Sequence, residues 1–148
     1  MQCDIPFPHE DHAVVGPRGL KRLNAGHPWV YAGDIARRPP GGAGVVQVHD
    51  SRGRLQGYAL YSPASTITLR LISREGPPSP ALITRRIDEA AARRERLMPE
   101  ADAYRVVHGE ADFLPGVFVD RYGDAVTLQT TCGGADILLP ALQAALVE

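Results

Sequence analysis

Apolar and polar positions alternate cleanly in TITLRLIS, residues 66 to 73, where Ile67, Leu69 and Leu71 would face a core and Thr68 and Arg70 the other side. Two further runs, GVVQVHD (44 to 50) and LQGYALYS (55 to 62), read as strands joined by SRGR, where Gly53 can supply the positive φ of a hairpin turn. Upstream, a short helix is expected from Pro17, which pre-sets the backbone at a helix start, to Gly26, which takes the left-handed position past the last turn. Leu20 and Leu23 fall on one side of it, while Arg18, Lys21 and Arg22, at i, i+3 and i+4, share the opposite face. Short strands, a Gly-rich connection and one small helix predict a compact β-barrel with a helix on its side.

After REGPPSP (74 to 80), the best boundary in the chain, the period changes. Ser79 is placed as an N-cap with Pro80 at the first helical position, opening a helix to about Leu97 whose stripe is Ile83, Ile87, Ala90 and Leu97. Arg85 with Glu89, and Glu89 with Arg93, are i, i+4 pairs. YRVVH then leads into GVFVDRY and AVTLQTT, which pair across Gly123-Asp124, a dipeptide suited to a two-residue turn. DILLPALQAALVE reads as the start of an amphipathic helix, with Pro140 tolerated in its first turn. No polar cap follows Leu146, so the 148 residues are expected to be an N-terminal piece of something longer.

With 44% hydrophobic residues, the chain can form one ordinary core or two small ones, and two units are expected. The division runs 1–11, a loose tail without periodicity; 12–74, the barrel; and 75–148, a small α/β unit. The chain is α+β in class. No apolar run is long enough to span a membrane, and MQCDIPFPHEDH lacks the basic flank and apolar stretch of a signal peptide, so a soluble, cytoplasmic protein without membrane partners is expected. Cys3 and Cys132 are too few for a disulfide framework or a metal knuckle.

The formal charge of −1 conceals a split. Residues 12 to 74 hold nine Arg or Lys against two acids, a local net of +7, whereas residues 75 to 148 hold seven Arg against twelve acids, a net of −5. A GC-rich genome accounts equally well for the excess of Arg over Lys, but not for acids avoiding the first half. Such asymmetry points to a polyanion-binding module joined to something else. The candidate phosphate contacts are Arg18, Lys21, Arg22 and His27 near one helix, Arg52 and Arg54 at a hairpin tip, and Arg70 and Arg74 on an edge. Against this stands a merely solvated basic face. Trp29 and Tyr31 offer base-stacking surfaces, although a lone Trp beside Pro28 and Val30 is more often a core plug.

In YRVVHGEADFLPGVFVDRYGD (104 to 124), His108, Glu110, Asp112 and Asp120 are the right types for acid and base work. Their spacing argues against it: HGE is not HExxH, and no His lies beyond His108. Glu110 and Asp112 are expected to close turns and cap backbone donors around Leu114-Pro115-Gly116. GxGxxG after a strand, a Walker-type GK[ST] and a GxSxG elbow are all missing, so neither a catalytic, cofactor nor metal residue is assigned.

GLKRLNAGHPWVYAGDI, LQGYALYSPASTITLRLIS and YRVVHGEADFLPGVFVDRYGD, in that order, closely resemble the N-terminal half of RlmI-type methyltransferases, S-adenosylmethionine-dependent enzymes that modify carbon five of cytosine in large-subunit ribosomal RNA. The resemblance implies a PUA domain, a small RNA-binding pseudo β-barrel, over 12–74. Over 75–148 it implies a central α/β domain of strand-strand-helix-strand-strand order. It places the S-adenosylmethionine site and the nucleophilic cysteine in a further Rossmann-like domain, and Cys132 matches no nucleophile motif. Phe113 departs from the family, which often has Gly there. The implied role is docking of 23S ribosomal RNA for a catalytic domain elsewhere, with a homodimer among the assemblies it allows. A stand-alone PUA-type RNA-binding adaptor is the alternative, and a small hydrolase using His108, Glu110 and Asp120 a third reading.

Overall fold

The computed structural model describes residues 4–7 and 11–147. Most of the predicted tail therefore lies outside the described residues, but Ile5 and Phe7 pack on the core, and the Phe7 ring meets that of Tyr58 edge-on at 5.4 Å.

The strands expected from Val-rich alternation form and pair. β4 (Gly44–His49) and β5 (Leu55–Tyr61) make the antiparallel hairpin, with Gly53 at φ 76° in the turn, and β6 (Ile67–Ser73) pairs antiparallel with β5. Three strands carry too few residues for a period to show: β1 (His12–Val15), β2 (Trp29–Tyr31) and β3 (Ile35–Arg37). The sheet runs β2-β6-β5-β4-β1-β3. Its two edge strands, β2 and β3, are consecutive in the chain, separated only by the 3₁₀ turn Ala32–Asp34. So short a link holds the two edges together, and the sheet must curl into a pseudo-barrel. α1 (Pro17–Asn24) connects β1 to β2, with Pro17 at its start and Gly26 at φ 85° past its end. It sits close on the edge turn: a Cβ on Gly19 would lie 3.2 Å from Cβ of Asp34.

Alternation sorts the sheet residues between two cores rather than between core and solvent. Val46, Val48, Ala59, Tyr61 and Leu69 point into the barrel with Leu23 and Val30. Their neighbours Val45, Leu60 and Ile72 point outward and are buried by the second half of the chain. The expectation for β6 is corrected accordingly. Leu69 and Leu71 join the barrel core, but Thr68 and Arg70, on the opposite face, are buried as well.

The second half opens with α2 (Pro80–Leu97), capped by Ser79, whose Oγ accepts the Leu82 N–H at 3.2 Å. Ile83, Ile87 and Ala90 are buried, but Leu97 is 72% exposed because the helix outruns the body it packs on. β7 (Ala103–His108), β8 (Val117–Tyr122) and β9 (Ala125–Thr130) form an antiparallel sheet, and Gly123 takes φ 59° in the β8–β9 turn. The C-terminal helix expected from DILLPALQAALVE is α4 (Leu139–Val147), with Pro140 in its first turn, and a short α3 (Gly133–Asp136) precedes it. Pro140 lacks the N–H that would reach back to Asp136, so α3 cannot run into α4. The order strand-strand-helix-strand-strand is present only when read across the boundary, as β5, β6, α2, β7 and β8. REGPPSP thus divides two sheets but not two cores: Val45, Leu60 and Ile72 pack in one cluster with Ile83, Ile87, Leu114, Val117, Leu138 and Leu142.

Candidate nucleic-acid interface

Both acids of the basic half are buried braces for arginines. Asp34, in the turn between β2 and β3, accepts from Nη1 of Arg22 at 2.8 Å and from Nε of Arg18, and the Arg22 guanidinium lies over the Tyr31 ring at 5.0 Å. Asp50 closes the β4–β5 turn. It accepts the Arg52 and Arg54 backbone N–H groups at 2.9 Å and Nε of Arg54 at 2.8 Å. The Arg54 N–H, more than any other contact, holds the Asp50 carboxyl below its ordinary range.

Arg74, just past β6, joins these two groups. Its Nη2 donates to the Leu23 carbonyl at the end of α1 at 2.6 Å, and its Nη1 to the Gln56 carbonyl at 3.2 Å. The Gln56 amide in turn donates to the Arg54 carbonyl at 3.2 Å. Contacts therefore run without a break from α1 through Arg74 to the hairpin carrying Arg52 and Arg54. Lys21, His27 and Arg52 are exposed, and among the described residues no acid pairs with them. Arg70 stands apart: it is 8% exposed, donates to the Ile67 carbonyl at 2.7 Å, and lies 3.8 Å from Glu110.

Trp29 is neither a core plug nor a free stacking surface. It is half-buried, its indole N–H donates to Oε1 of Glu110 at 2.7 Å, and the His27 ring meets it edge-on at 5.5 Å. Glu110, expected to cap local backbone, instead reaches the barrel. Asp112 does act locally, accepting the His108 N–H at 2.7 Å, and it also takes both Arg93 and Arg94. Arg93 is thereby drawn from the helical pair expected with Glu89, while Arg85 and Glu89 approach to 3.9 Å.

Beside Trp29 and Arg74, a cleft of about 500 Å³ separates the barrel from the second half. Pro28, Leu71 and Arg74 line one wall; Arg86, Phe113 and Pro115 line the other. Arg86 is marked by no motif and Phe113 only as a departure within a stretch that carries the resemblance, and only the tertiary fold brings them to Arg74. The acid and base candidates of the same loop do not converge. Glu110 is bound to Trp29, Asp120 is paired with Nε of Arg105 at 2.8 Å, and the exposed His108 stacks edge-on against Phe118 at 5.5 Å. Hydrogen bonding from Arg105, the largest influence, keeps Asp120 ionised to lower pH than usual, which disqualifies it as a proton donor near neutrality.

Residues 14–74 match a PUA-like domain family. Ribosomal RNA large subunit methyltransferase I of Cronobacter sakazakii is 36% identical, with 85% of this chain and 33% of that protein covered. The protein of the same name from Salmonella arizonae is 34% identical over 95% of this chain and 36% of its own length. The chain thus spans about a third of the length of these curated relatives. Among solved structures, a Streptococcus mutans protein described as a SAM-dependent methyltransferase superposes with a TM-score of 0.79 at 21% identity, covering 91% of this chain and 36% of that one. A methyltransferase in complex with SAH gives 0.80 with the same identity and coverage. At that identity the likeness establishes the fold.

Proposed function

We propose that this chain, whose residues 14–74 belong to the PUA-like domain family and which is similar over most of its length to RlmI-type methyltransferases, docks large-subunit ribosomal RNA for methylation. The observation that carries this reading is the unbroken run of contacts from α1 through Arg74 to the β4–β5 turn. It presents Lys21, His27 and Arg52 beside Arg18, Arg22, Arg54 and Arg74. Phosphates and ribose hydroxyls are the groups such a surface takes, so shape is read more than sequence. Arg70, buried beside the turn after β7, acts here as a structural cation that positions Glu110 and not as a phosphate contact.

Within the same proposal, S-adenosylmethionine and the chemistry at cytosine carbon five belong to a separate domain, 23S RNA is the substrate, and the cytoplasm is the setting. If about four phosphates are contacted, log affinity for single-stranded RNA falls with log salt at a slope of about −3, from roughly 0.7 per contact. Affinity independent of salt, or no affinity, overturns the proposal. Equal retention of ribosomal RNA and of an acidic polypeptide at matched charge favours a general adaptor instead.

A further inference from the structure

Phe113 is a large apolar residue left more exposed than the fold's own packing requires. It is the one non-glycine among the described residues with positive φ, at 59°, and its side chain is 63% exposed. A bulky residue in the left-handed region costs on the order of 1 kcal/mol or more, and a large apolar side chain left mostly in water recovers little of it by burial. The left-handed backbone closes the 3₁₀ turn Gly109–Asp112, where the Phe113 and Leu114 N–H groups return to the Glu110 and Gly109 carbonyls, so it is the exposed ring that no packing in the fold accounts for.

What surrounds the ring accounts for it. Phe113 forms one side of the cleft between the barrel and the second half, with Pro28, Leu71 and Pro115 as further apolar wall. Two guanidinium groups stand in the same lining. Arg86 uses one donor, Nη1, on the Phe113 carbonyl at 2.5 Å, and Arg74 uses two on the carbonyls of Leu23 and Gln56. Among the described residues no carboxylate comes within ion-pair distance of either, and the acid of the lining, Glu110, is taken by the Trp29 indole and faces Arg70. Burial, with Arg85 alongside, lowers the Arg86 pKa against the opposing charge of Glu89, yet a guanidinium stays protonated at neutral pH. An aromatic face, apolar walls and two guanidinium groups outside any close ion pair among the described residues, in about 500 Å³, match a flat ring attached to a phosphate.

We propose that this cleft binds one unpaired RNA nucleotide, its base stacked on Phe113 and its flanking phosphates held by Arg74 and Arg86. The inference rests on the RNA-docking reading and deepens it. Arg74 belongs to both the basic run and the cleft, so a strand following the run delivers its next base to Phe113.

The test uses the full chain and a short single-stranded oligoribonucleotide carrying 2-aminopurine, whose fluorescence falls when it stacks. Phe113→Gly is the informative variant, because glycine adopts positive φ freely and folding is retained. The expected result is loss of quenching and affinity weakened about fivefold or more, the range for one base stacked on an aromatic ring. The salt slope is unchanged, and Phe113→Tyr restores both signals. Arg86→Gln is expected to lower the slope by about 0.7. Wild-type affinity and quenching in Phe113→Gly, with a normal salt slope, overturn the nucleotide cleft and leave RNA docking standing. Failure of the unmodified chain to bind the oligonucleotide overturns both.

Discussion

The indole N–H of Trp29 donates to a carboxylate oxygen of Glu110, 81 positions further along, at 2.7 Å. This bond fastens the barrel to the loop after β7, and the buried Arg70 guanidinium stands 3.8 Å from the same carboxylate oxygen. Removing the carboxylate in Glu110→Ala leaves the half-buried indole N–H without its partner and takes the counter-ion from the buried Arg70, at a cost of about 2 kcal/mol. Because Trp29 is the only tryptophan, its emission reports the loss directly in a urea titration. Trp29→Phe in the Glu110→Ala background should cost little more, since the two side chains share one interaction.

Asp112 sets an acid limit on stability. Burial alone would raise its pKa, but hydrogen bonds from Arg94 and the His108 N–H, with the charges of Arg94 and Arg93, outweigh it and hold the folded value below the ordinary one. The unfolded chain therefore takes up a proton first as pH falls. Stabilisation by Asp112 is complete above about pH 5 and declines below the ordinary carboxylate range near 4, as pH falls toward the folded value. Asp112→Asn should lose on the order of 3 kcal/mol at neutral pH by stranding Arg94, and should flatten the decline between pH 5 and 3 in denaturation curves.

Lys21 and Arg52 test the basic surface without disturbing the fold, because neither side chain pairs with an acid among the described residues. Each change to Ala is expected to lower the salt slope of RNA binding by about 0.7, with stability within about 0.5 kcal/mol of the parent. Arg70→Ala should behave oppositely, destabilising the protein with little change in slope, as expected of a cation that is 8% exposed.

Gly134 is where α3 meets the barrel. Its N–H donates to Ser62 Oγ at 2.9 Å, and a Cβ there would lie 2.9 Å from both Leu60 Cβ and the Tyr61 carbonyl oxygen. Neither is the flexible end of a side chain. Gly134→Ala should cost about 2 kcal/mol by overpacking and should speed hydrogen exchange in α3 and α4 before it does so in β4 and β5.

Local chemistry was enough to determine several elements of this protein. Ser79 and Pro80 start α2, Pro17 and Gly26 bound α1, Gly53 and Gly123 turn the two hairpins, and the alternation in β6 correctly separates Leu69 from Arg70. Each depends on a residue's own backbone preference or on a period that a few neighbours reveal. The division between a basic and an acidic half is likewise a property of the chain itself.

Tertiary structure alone decided what lies on the far side of each surface. Periodicity says that Arg70 faces away from Leu69, but not that the second half of the chain covers that face. Nor does it show that β2 and β3 must meet to close the barrel, or that Glu110 is reserved for Trp29 and Arg70. Arg86 and Phe113 become neighbours of Arg74 only when β6 and the loop after β7 pack together. Such pairings join residues tens of positions apart and are selected by the shared burial of Val45, Leu60 and Ile72 against α2 and α4. No window along the sequence contains that selection, because its driving force is apolar area removed from water by both halves at once.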